Sequence, residues 1–390
     1  MHRSSLVWLA TFTTATLLAS LAGCGDGGSG FGGGGSGAAS SGGGGSGAAS
    51  AGGTGGGGGS GATSSGGTGG SSTTGGTGGG SSVGGIFEAP NAWTKDVSAL
   101  PKDEESDAII GWLAANGGWG NGDKFQIDFS IEVLTADAST PLRDFTPTGD
   151  FYDPDCDHVP FPVPAGGAIE GEQGYECTSD GDCHLLVIHQ PSKTLYEMWR
   201  ANILGPGADQ FLGGCAVTWD LTATYPENLR GEGCTSADAG GFPITAMVFS
   251  ADEVAAGEIA HAIRFILPNA RIRDNVYVHP GTHSTGPTSG GPDAPPYGVR
   301  FRLRQDFDLA SLPSDGARVI AKALQKYGMF LADAGNIALT AQSDRFTTHK
   351  WDEVGVTAQS LLGIQVTDME VVDMGDPIDW SGDCVRNPPP

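Results

Sequence analysis

The chain has 390 residues, 66 of them glycine, and 45 acidic against 20 basic residues give it a formal net charge of -25. Such an acidic surface repels nucleic acid and anionic lipid headgroups, so a nucleic-acid-binding function is excluded. It also disfavours a strongly anionic polymer as substrate, unless a local basic patch binds it. We predict neither a cofactor nor a resident metal ion, and we expect a monomer.

The first 24 residues are typical of a lipoprotein signal peptide. The apolar run at 6–21 follows a weakly basic start and is too short for a membrane span. It ends in Leu21-Ala22-Gly23-Cys24, which resembles the lipobox of bacterial lipoproteins. The resemblance implies that Cys24 carries a lipid and anchors the protein to a membrane of the cell envelope, with the globular part outside the cytoplasm. The alternative is an ordinary secretory signal with a chance cysteine.

Residues 25–85 consist almost entirely of glycine, serine, alanine and threonine. These residues cannot bury a core, so we predict a flexible tether with an r.m.s. reach of about 45 Å. Residues 86–390 are then predicted to form a single globular secreted domain.

Six cysteines remain after Cys24 is set aside. An even number in an exported chain is typical of disulfide bonds. We predict three bonds, namely Cys177–Cys183, Cys215–Cys234 and Cys156–Cys384. A structural zinc site is the alternative, but the CxxC pairs typical of such sites are absent from the sequence.

Hydrophobic periodicity predicts many short strands and few helices in the globular domain. Helices are predicted where apolar stripes follow capping residues, at 103–116, 250–258 and 314–328. A long loop is predicted at 140–182, and strands are predicted at 124–134, 184–190, 194–200, 216–222, 258–267, 276–278 and 297–304. This pattern favours a mainly β fold, with a β-sandwich or jelly-roll core and a few peripheral α-helices.

Alternation along the predicted strands arranges polar side chains in rows. If these rows line one concave face, they form a groove that contains Glu197, Trp199, Asp220, Glu258, Arg264 and Arg300. Grooves of this composition bind sugars, because aromatic faces cover pyranose rings while carboxylates and arginines bind hydroxyl groups. The alternative is that the rows are solvated sheet faces with cross-strand ion pairs.

The segment 234–283 carries the remaining candidates. Asp238 lies in a glycine-rich turn, where it either caps the backbone or acts as a general acid or base. His261 shares its predicted strand face with apolar residues, so it is either a buried core residue or a neutral base. His279 and His283 flank the turn in HPGTH, where they are candidates for metal binding, and His283 is also a candidate for proton transfer.

Five sequence blocks resemble a family of uncharacterised secreted proteins of actinomycetes and myxobacteria, whose members sometimes occur beside carbohydrate-binding modules. The blocks are GCTSADAGGFPI, DEVAAGEIAHAIRF, YVHPGTH, PPYGVRFRLR and ARVIAKALQKYGMFLADAG, within residues 155–345. The resemblance implies a single secreted domain with Asp238, Glu258, His261 and His283 at motif positions. The cysteines at 177, 183, 215 and 234 depart from the family pattern.

From these residues we predict a surface-anchored carbohydrate-active enzyme, a glycoside hydrolase that acts on a polysaccharide or cell-surface glycan by carboxylate acid/base chemistry. The predicted catalytic residues are Glu258, Asp238, Glu197, His261 and His283, and the predicted substrate-binding residues are Arg264, Arg300, Trp199 and Asp220. Two alternatives stay open. One is a polysaccharide lyase that neutralises a uronate with arginine, and the other is a non-catalytic glycan-binding or adhesion lipoprotein.

Overall fold

The computed structural model describes residues 85–390, except Asp180, Pro206 and Ala208. The predicted signal peptide with Cys24, and all of the predicted tether but its last residue, lie outside the described residues. Among the described residues, strands contain more residues than helices, which confirms the predicted mainly β fold. In this part of the chain no helix is both long and apolar enough to span a membrane.

The predicted helices form close to their predicted positions. They are α1 (Ser106–Ala115), α3 (Ala251–Ala256) and α4 (Asp315–Lys326), and the described region also contains α2 (Gly120–Asp123), one irregular turn that the sequence pattern does not predict. Short 3₁₀ helices span Ala92–Thr94, Asn269–Arg271, Leu309–Ser311 and Val366–Asp368. The capping box of α3 is confirmed, since Ser250 accepts from the Glu253 amide and Glu253 accepts from the Ser250 amide.

The strands are short, as the sequence predicts. In chain order they are β1 (Ile127–Ile131), β2 (Val133–Ala136), β3 (Leu142–Arg143), β4 (Thr146–Pro147), β5 (Phe161–Pro162), β6 (Leu185–His189), β7 (Thr194–Met198), β8 (Asn202–Leu204), β9 (Gln210–Gly213), β10 (Ala216–Asp220), β11 (Gly231–Glu232), β12 (Ile263–Leu267), β13 (Val276–Tyr277), β14 (Arg300–Leu303), β15 (Met329–Ala334), β16 (Leu339–Gln342), β17 (Met369–Val371), β18 (Ile378–Asp379) and β19 (Val385–Arg386).

The largest sheet has six strands in the order β1-β16-β12-β15-β14-β17. It is mixed, because β12 pairs in parallel with β15 and β1 pairs in parallel with β16, while the other pairs are antiparallel. Jelly rolls are antiparallel, so the structure does not confirm that finer part of the fold prediction. The parallel pair β12/β15 has an irregular register between Phe265 and Ile266, where β15 contributes one extra residue.

A second sheet of four strands has the order β10-β7-β6-β2. The predicted hairpin is present as β6 and β7, with Ile188 opposite Leu195. The single strand predicted at 124–134 is instead divided at Glu132, so that β1 joins the first sheet and β2 joins the second.

Alternating side chains connect the two sheets into one packed domain. Helices α1 and α4 pack with one face of the six-stranded sheet, where Ile263, Phe265 and Leu331 are buried. The opposite face carries Phe330, which belongs to the same apolar cluster as residues of the four-stranded sheet such as Leu195. Arg264 alternates with Ile263 and Phe265 along β12 and therefore points to this inner side, where the chain between 234 and 249 also packs.

The six cysteines form three disulfide bonds, and one of the predicted pairings is confirmed. Cys177 pairs with Cys183 as predicted, but Cys156 pairs with Cys215, and Cys234 pairs with Cys384. The predicted Cys215–Cys234 and Cys156–Cys384 bonds are therefore wrong. Strand pairing explains the exchange, because β11 and β19 are hydrogen-bonded neighbours, which places Cys234 beside Cys384.

Candidate functional site

A cleft of about 180 Å³ opens at the ends of the parallel strands β12 and β15. Its floor contains residues that follow or end these strands, and the turn at 235–239 and Trp199 lie against them. The remaining lining includes Tyr152, Asp182, Asn269, Thr285, Tyr297 and Asn336. Pockets for drug-sized ligands are usually about 300–1,000 Å³, so this cleft suits one small unit such as a sugar ring.

Two carboxyl groups of the lining share one buried guanidinium. Arg264 Nη2 lies 2.7 Å from Asp238 Oδ1 and 2.8 Å from Asp333 Oδ2. These two oxygens are therefore less than about 5.6 Å apart. Arg264 Nε also donates to Asp238 at 3.0 Å, and Nη1 donates to Thr340 at 3.1 Å. Arg264 and Asp238 are buried, while a quarter of the Asp333 side chain is exposed.

The local backbone explains how these side chains meet. In a regular strand the consecutive residues Ala332 and Asp333 would face opposite sides of the sheet. The extra residue of β15 places both on the side of Arg264, so Asp333 can bind it. Bulges commonly redirect side chains in this way. The turn that carries Asp238 is held by Ser236, whose hydroxyl accepts from the Asp238 amide at 2.9 Å and donates to the Phe242 carbonyl at 2.6 Å. Gly240 then donates to the Ala332 carbonyl at 2.7 Å and docks the turn on β15.

Burial controls the protonation of this cluster. It raises the pKa of Asp238 to about 8, although the Arg264 guanidinium opposes the shift. Burial also raises the pKa of Asp333, again against the attraction of Arg264. The raised pKa favours the neutral form of Asp238 at pH 7, and the Asp238 Oδ2 atom has no hydrogen-bond partner among the described residues.

A buried histidine–glutamate pair supports the Asp238 turn from the other side. His184 Nδ1 lies 2.5 Å from Glu170 Oε2, and its Nε2 lies 3.0 Å from the Ala237 carbonyl oxygen. Burial alone would lower the pKa of His184, but the Glu170 carboxylate outweighs it and raises this pKa to about 9. Since both ring nitrogens are then protonated, His184 donates to Glu170 and to the backbone next to Asp238.

We expect this pair to make stability depend on pH. The stabilisation from His184 is complete below its unfolded pKa of about 6.5 and is lost as the pH rises through about 9. The melting temperature of His184→Gln should therefore lie below that of the wild type at about pH 6, and the difference should shrink towards about pH 10. Thermal unfolding followed by circular dichroism measures the melting temperatures of the two proteins at each pH. His158→Gln is the control, because His158 and its partner Asp153 are exposed. A difference in melting temperature between wild type and His184→Gln that stays the same from about pH 6 to about pH 10 would contradict the raised pKa of His184.

One wall of the cleft is aromatic. The Trp199 indole N–H donates to Asp182, and both residues line the cleft. The Arg200 guanidinium lies 4.6 Å from the centre of the Trp199 ring and forms an ion pair with Asp150 at 2.8 Å. These contacts fix the orientation of the indole, which is largely buried and reaches the cleft with an acidic group beside its N–H.

No protein-family model, curated protein or solved structure matches this chain. The chemistry of the cleft therefore rests on its own residues. A Trp ring, three carboxyl groups and two amide side chains converge on a space of sugar-ring size. This composition is typical of sites that bind a hydroxylated ring and transfer protons.

Three of the predicted site residues meet at the cleft, namely Asp238, Trp199 and Arg264, the last from behind its two carboxyl partners. The predicted groove that joins them with Glu258 and Asp220 is not present. Glu258 is exposed and forms an ion pair with Lys326 of α4 at 3.2 Å, because the chain before Ile263 is not part of β12. Asp220 is exposed at the end of β10, where its carboxylate accepts from the Thr222 amide at 2.8 Å.

Glu197 and Arg300 are buried away from the lining and hydrogen-bond to neighbouring segments of the chain. Glu197 accepts from the Thr245 amide at 2.8 Å and from the Trp219 indole at 3.1 Å, so it joins β7 and β10 to the segment after the Asp238 turn. Arg300 donates to the Tyr327 carbonyl at 2.8 Å and to the Lys95 carbonyl at 2.8 Å. Both residues face inward, but they serve packing rather than a groove.

The two predicted histidines are also core residues. His261 lies 3.1 Å from Glu253 Oε1 and 2.8 Å from the Ala262 carbonyl oxygen, so its ring ties α3 to the start of β12. His283 Nδ1 donates to the Ala239 carbonyl at 2.7 Å, and burial lowers the pKa of His283 to about 4. Neither side chain belongs to the cleft lining.

Sequence reasoning missed Asp333, Asp182, Asn269, Asn336 and the Glu170–His184 pair. Asp333 lies in the block that ends in ADAG, so a signal was present, but strand alternation gave no reason to select it. Asp182 follows the polar segment 171–181 and precedes Cys183, and the sequence does not distinguish it from the other polar residues of that segment. The approach of 182–184 to the cleft depends on the long-range packing of β6, which no local pattern encodes.

Proposed function

We propose that this protein is a glycoside hydrolase in which Asp238 is the general acid and Asp333 is the partner carboxylate. The observation that carries the proposal is the pair of carboxyl oxygens less than about 5.6 Å apart at one cleft, one on a neutral acid and one on a partly exposed, ion-paired group. Retaining glycosidases place their carboxyl groups about 5–5.5 Å apart, whereas inverting enzymes need about 6.5–9.5 Å. The spacing here favours retention.

In the first step Asp238 donates its proton to the glycosidic oxygen as the bond to the anomeric carbon breaks. An oxygen of Asp333 forms a bond to that carbon, and the leaving chain departs as an alcohol. In the second step ionised Asp238 takes a proton from water, the resulting hydroxide attacks the anomeric carbon, and Asp333 leaves as a carboxylate. The two steps together return Asp238 to its acid form and Asp333 to its carboxylate, and they consume one water molecule.

The residues around this pair account for binding and orientation. The part of Trp199 that reaches the cleft offers an apolar contact for a sugar ring, and the amides of Asn269 and Asn336 offer donors and acceptors for hydroxyl groups. Arg264 holds both carboxyl groups in place through three hydrogen bonds and stays buried behind them. A uronate lyase needs a cation that faces the substrate, and the lining contains no Arg, Lys or His among the described residues.

A polysaccharide panel tests the proposed reaction. The intact protein is incubated with neutral, amino-sugar and uronate polymers, and new reducing ends and unsaturated uronates are measured. We expect reducing ends without unsaturated uronates, and products of retained anomeric configuration by NMR. Unsaturated products would establish a lyase instead. Glycan binding without any bond cleavage would support the adhesion function and overturn the hydrolase proposal.

We also propose that the enzyme is lipid-anchored in the cell envelope with its globular domain outside the cytoplasm. The support is the sequence around Cys24, the glycine-rich tether, and the disulfide bonds, which persist in oxidising compartments. Metabolic labelling with a tagged fatty acid should label the wild type and not Cys24→Ser. Equal labelling of Cys24→Ser would contradict the anchor assignment.

A further inference from the structure

The cleft is acidic at its surface and basic only behind it. Its described lining contains Asp182, Asp238 and Asp333 but no positively charged side chain. The guanidinium nearest to it, Arg264, is 4% exposed and bonds both Asp238 and Asp333. With Asp238 neutral, the acidic groups around the cleft are Asp182, Asp333 and Glu170, and the cations that face them are Arg264 and His184, so negative charge exceeds positive charge.

A second observation points to a missing hydrogen-bond partner at this cleft. Asp238 is 1% exposed, and its Oδ2 atom has no partner among the described residues. The Oδ1 atom of the lining residue Asn269 is likewise buried without one in this part of the chain. Buried polar atoms cost free energy when they lack a partner, so a ligand that brings donors is favoured.

We propose that the cleft selects a cationic amino sugar, a 2-amino-2-deoxyhexose unit whose free ammonium is bound by the acidic lining. An ammonium group brings three donors and a positive charge, whereas a hydroxyl brings one donor and an N-acetyl group brings one donor and added bulk. Asp182 is the residue for this role, because it lies beside the Trp199 ring edge, and a carboxylate can accept a ligand bond as well as the indole N–H.

The charge of the whole chain acts in the same direction. A protein with 45 acidic and 20 basic residues attracts a polycation at long range and repels a polyanion. A polymer of unacetylated amino sugars is such a polycation below the pKa of its amines. The choice of a glycan as ligand rests on the proposed function. The preference for an amino sugar concerns binding affinity alone and does not require that the glycan is cleaved.

Titration calorimetry at about pH 6 with the intact protein tests the inference. The ligands are hexasaccharides of glucosamine, N-acetylglucosamine and glucose, with the same linkage. We expect the glucosamine hexamer to bind at least about tenfold more tightly than either of the others, with an affinity that falls as salt is added. Asp182→Asn keeps an acceptor for Trp199, and it should remove most of this preference. Glu258→Gln removes an exposed carboxylate outside the cleft and should leave the preference unchanged.

The outcomes separate the two proposals. Preference for the glucosamine hexamer without cleavage would support the selectivity and overturn the hydrolase. Cleavage of the three hexamers at similar rates, with similar affinities, would overturn the selectivity and support the hydrolase. A preference that persists in Asp182→Asn would overturn the role of that residue, and no binding to any hexamer would overturn the inference as a whole.

Discussion

Asp238→Asn is expected to lower the rate of glycan hydrolysis by about 10²–10⁴-fold while the fold is retained. The amide cannot donate a proton to the leaving oxygen, but its carbonyl can still accept from Arg264 and its NH₂ group takes the place of the protonated Oδ2. Steady-state kinetics on the substrate identified by the panel measure the loss. Because the neutral form of Asp238 is the active one, wild-type activity should also fall as the pH rises through about 8.

Two controls distinguish catalysis from structure in this experiment. Glu258→Gln alters an exposed carboxylate outside the cleft and should keep full activity. The raised pKa of Asp238 also destabilises the wild type as the pH rises from 3.8 through about 8, so Asp238→Asn should be at least as stable as the wild type in alkaline solution. Near-normal hydrolysis by Asp238→Asn would remove this residue from the mechanism.

Arg264→Met is expected to destabilise the protein by about 3–5 kcal/mol, as is typical when one partner of a buried ion pair is removed. The substitution leaves Asp238 and Asp333 without their common donor and takes a hydrogen bond from Thr340. Chemical denaturation at pH 7 measures the change. The loss should be smaller at about pH 5, where the stranded Asp333 carboxylate is more easily protonated.

A second substitution tests whether the loss comes from the stranded carboxylate. Arg264→Met combined with Asp333→Asn should recover part of the stability, because the amide carries no charge that needs compensation. Arg304→Met is the matched control, since Arg304 forms an exposed ion pair with Asp306 and its removal should change the stability little. An effect of Arg264→Met no larger than that of Arg304→Met would show that the buried cluster does not stabilise the fold.

Local patterns in the sequence predicted the elements whose determinants are local. The Ser250–Glu253 capping box, the amphipathic stripe of α4 and the hairpin of β6 and β7 are each set by residues within a few positions of one another. Cys177 and Cys183 lie six residues apart and pair as predicted, because a short loop brings them together without help from the rest of the chain.

Contacts between residues far apart in the sequence could not be predicted from local patterns. The pairing of Cys234 with Cys384 follows from the contact of β11 with β19, which are separated by about 150 residues. Asp333 reaches Arg264 only because β15 has an extra residue opposite β12, and strict alternation would place Ala332 and Asp333 on opposite faces. Residue type alone identifies Asp238 and Trp199 as candidates. The residues that complete their cleft come from several other segments, which only the fold brings together.

Glu258 shows how the same alternation misled the site prediction. A uniform strand at 258–267 would place Glu258 and Arg264 on one face. In the structure β12 begins at Ile263, and Glu258 lies at the surface beside α4, whereas Ile259 and His261 are buried. Arg264 therefore takes its partners from the turn at Asp238 and from β15, and the acidic residue of its own segment has no part in the cleft.

The proposed mechanism requires Asp238 to be a neutral acid at pH 7, and a titration of its carboxyl group decides whether it is. The carboxyl carbons of all aspartates are labelled with ¹³C, and NMR spectra of the wild type and Asp238→Asn are compared across pH. We predict one resonance with a midpoint near 8 that is missing in Asp238→Asn. If the resonance that Asp238→Asn lacks titrates near the ordinary aspartate value of about 4, Asp238 is ionised at pH 7 and cannot be the general acid.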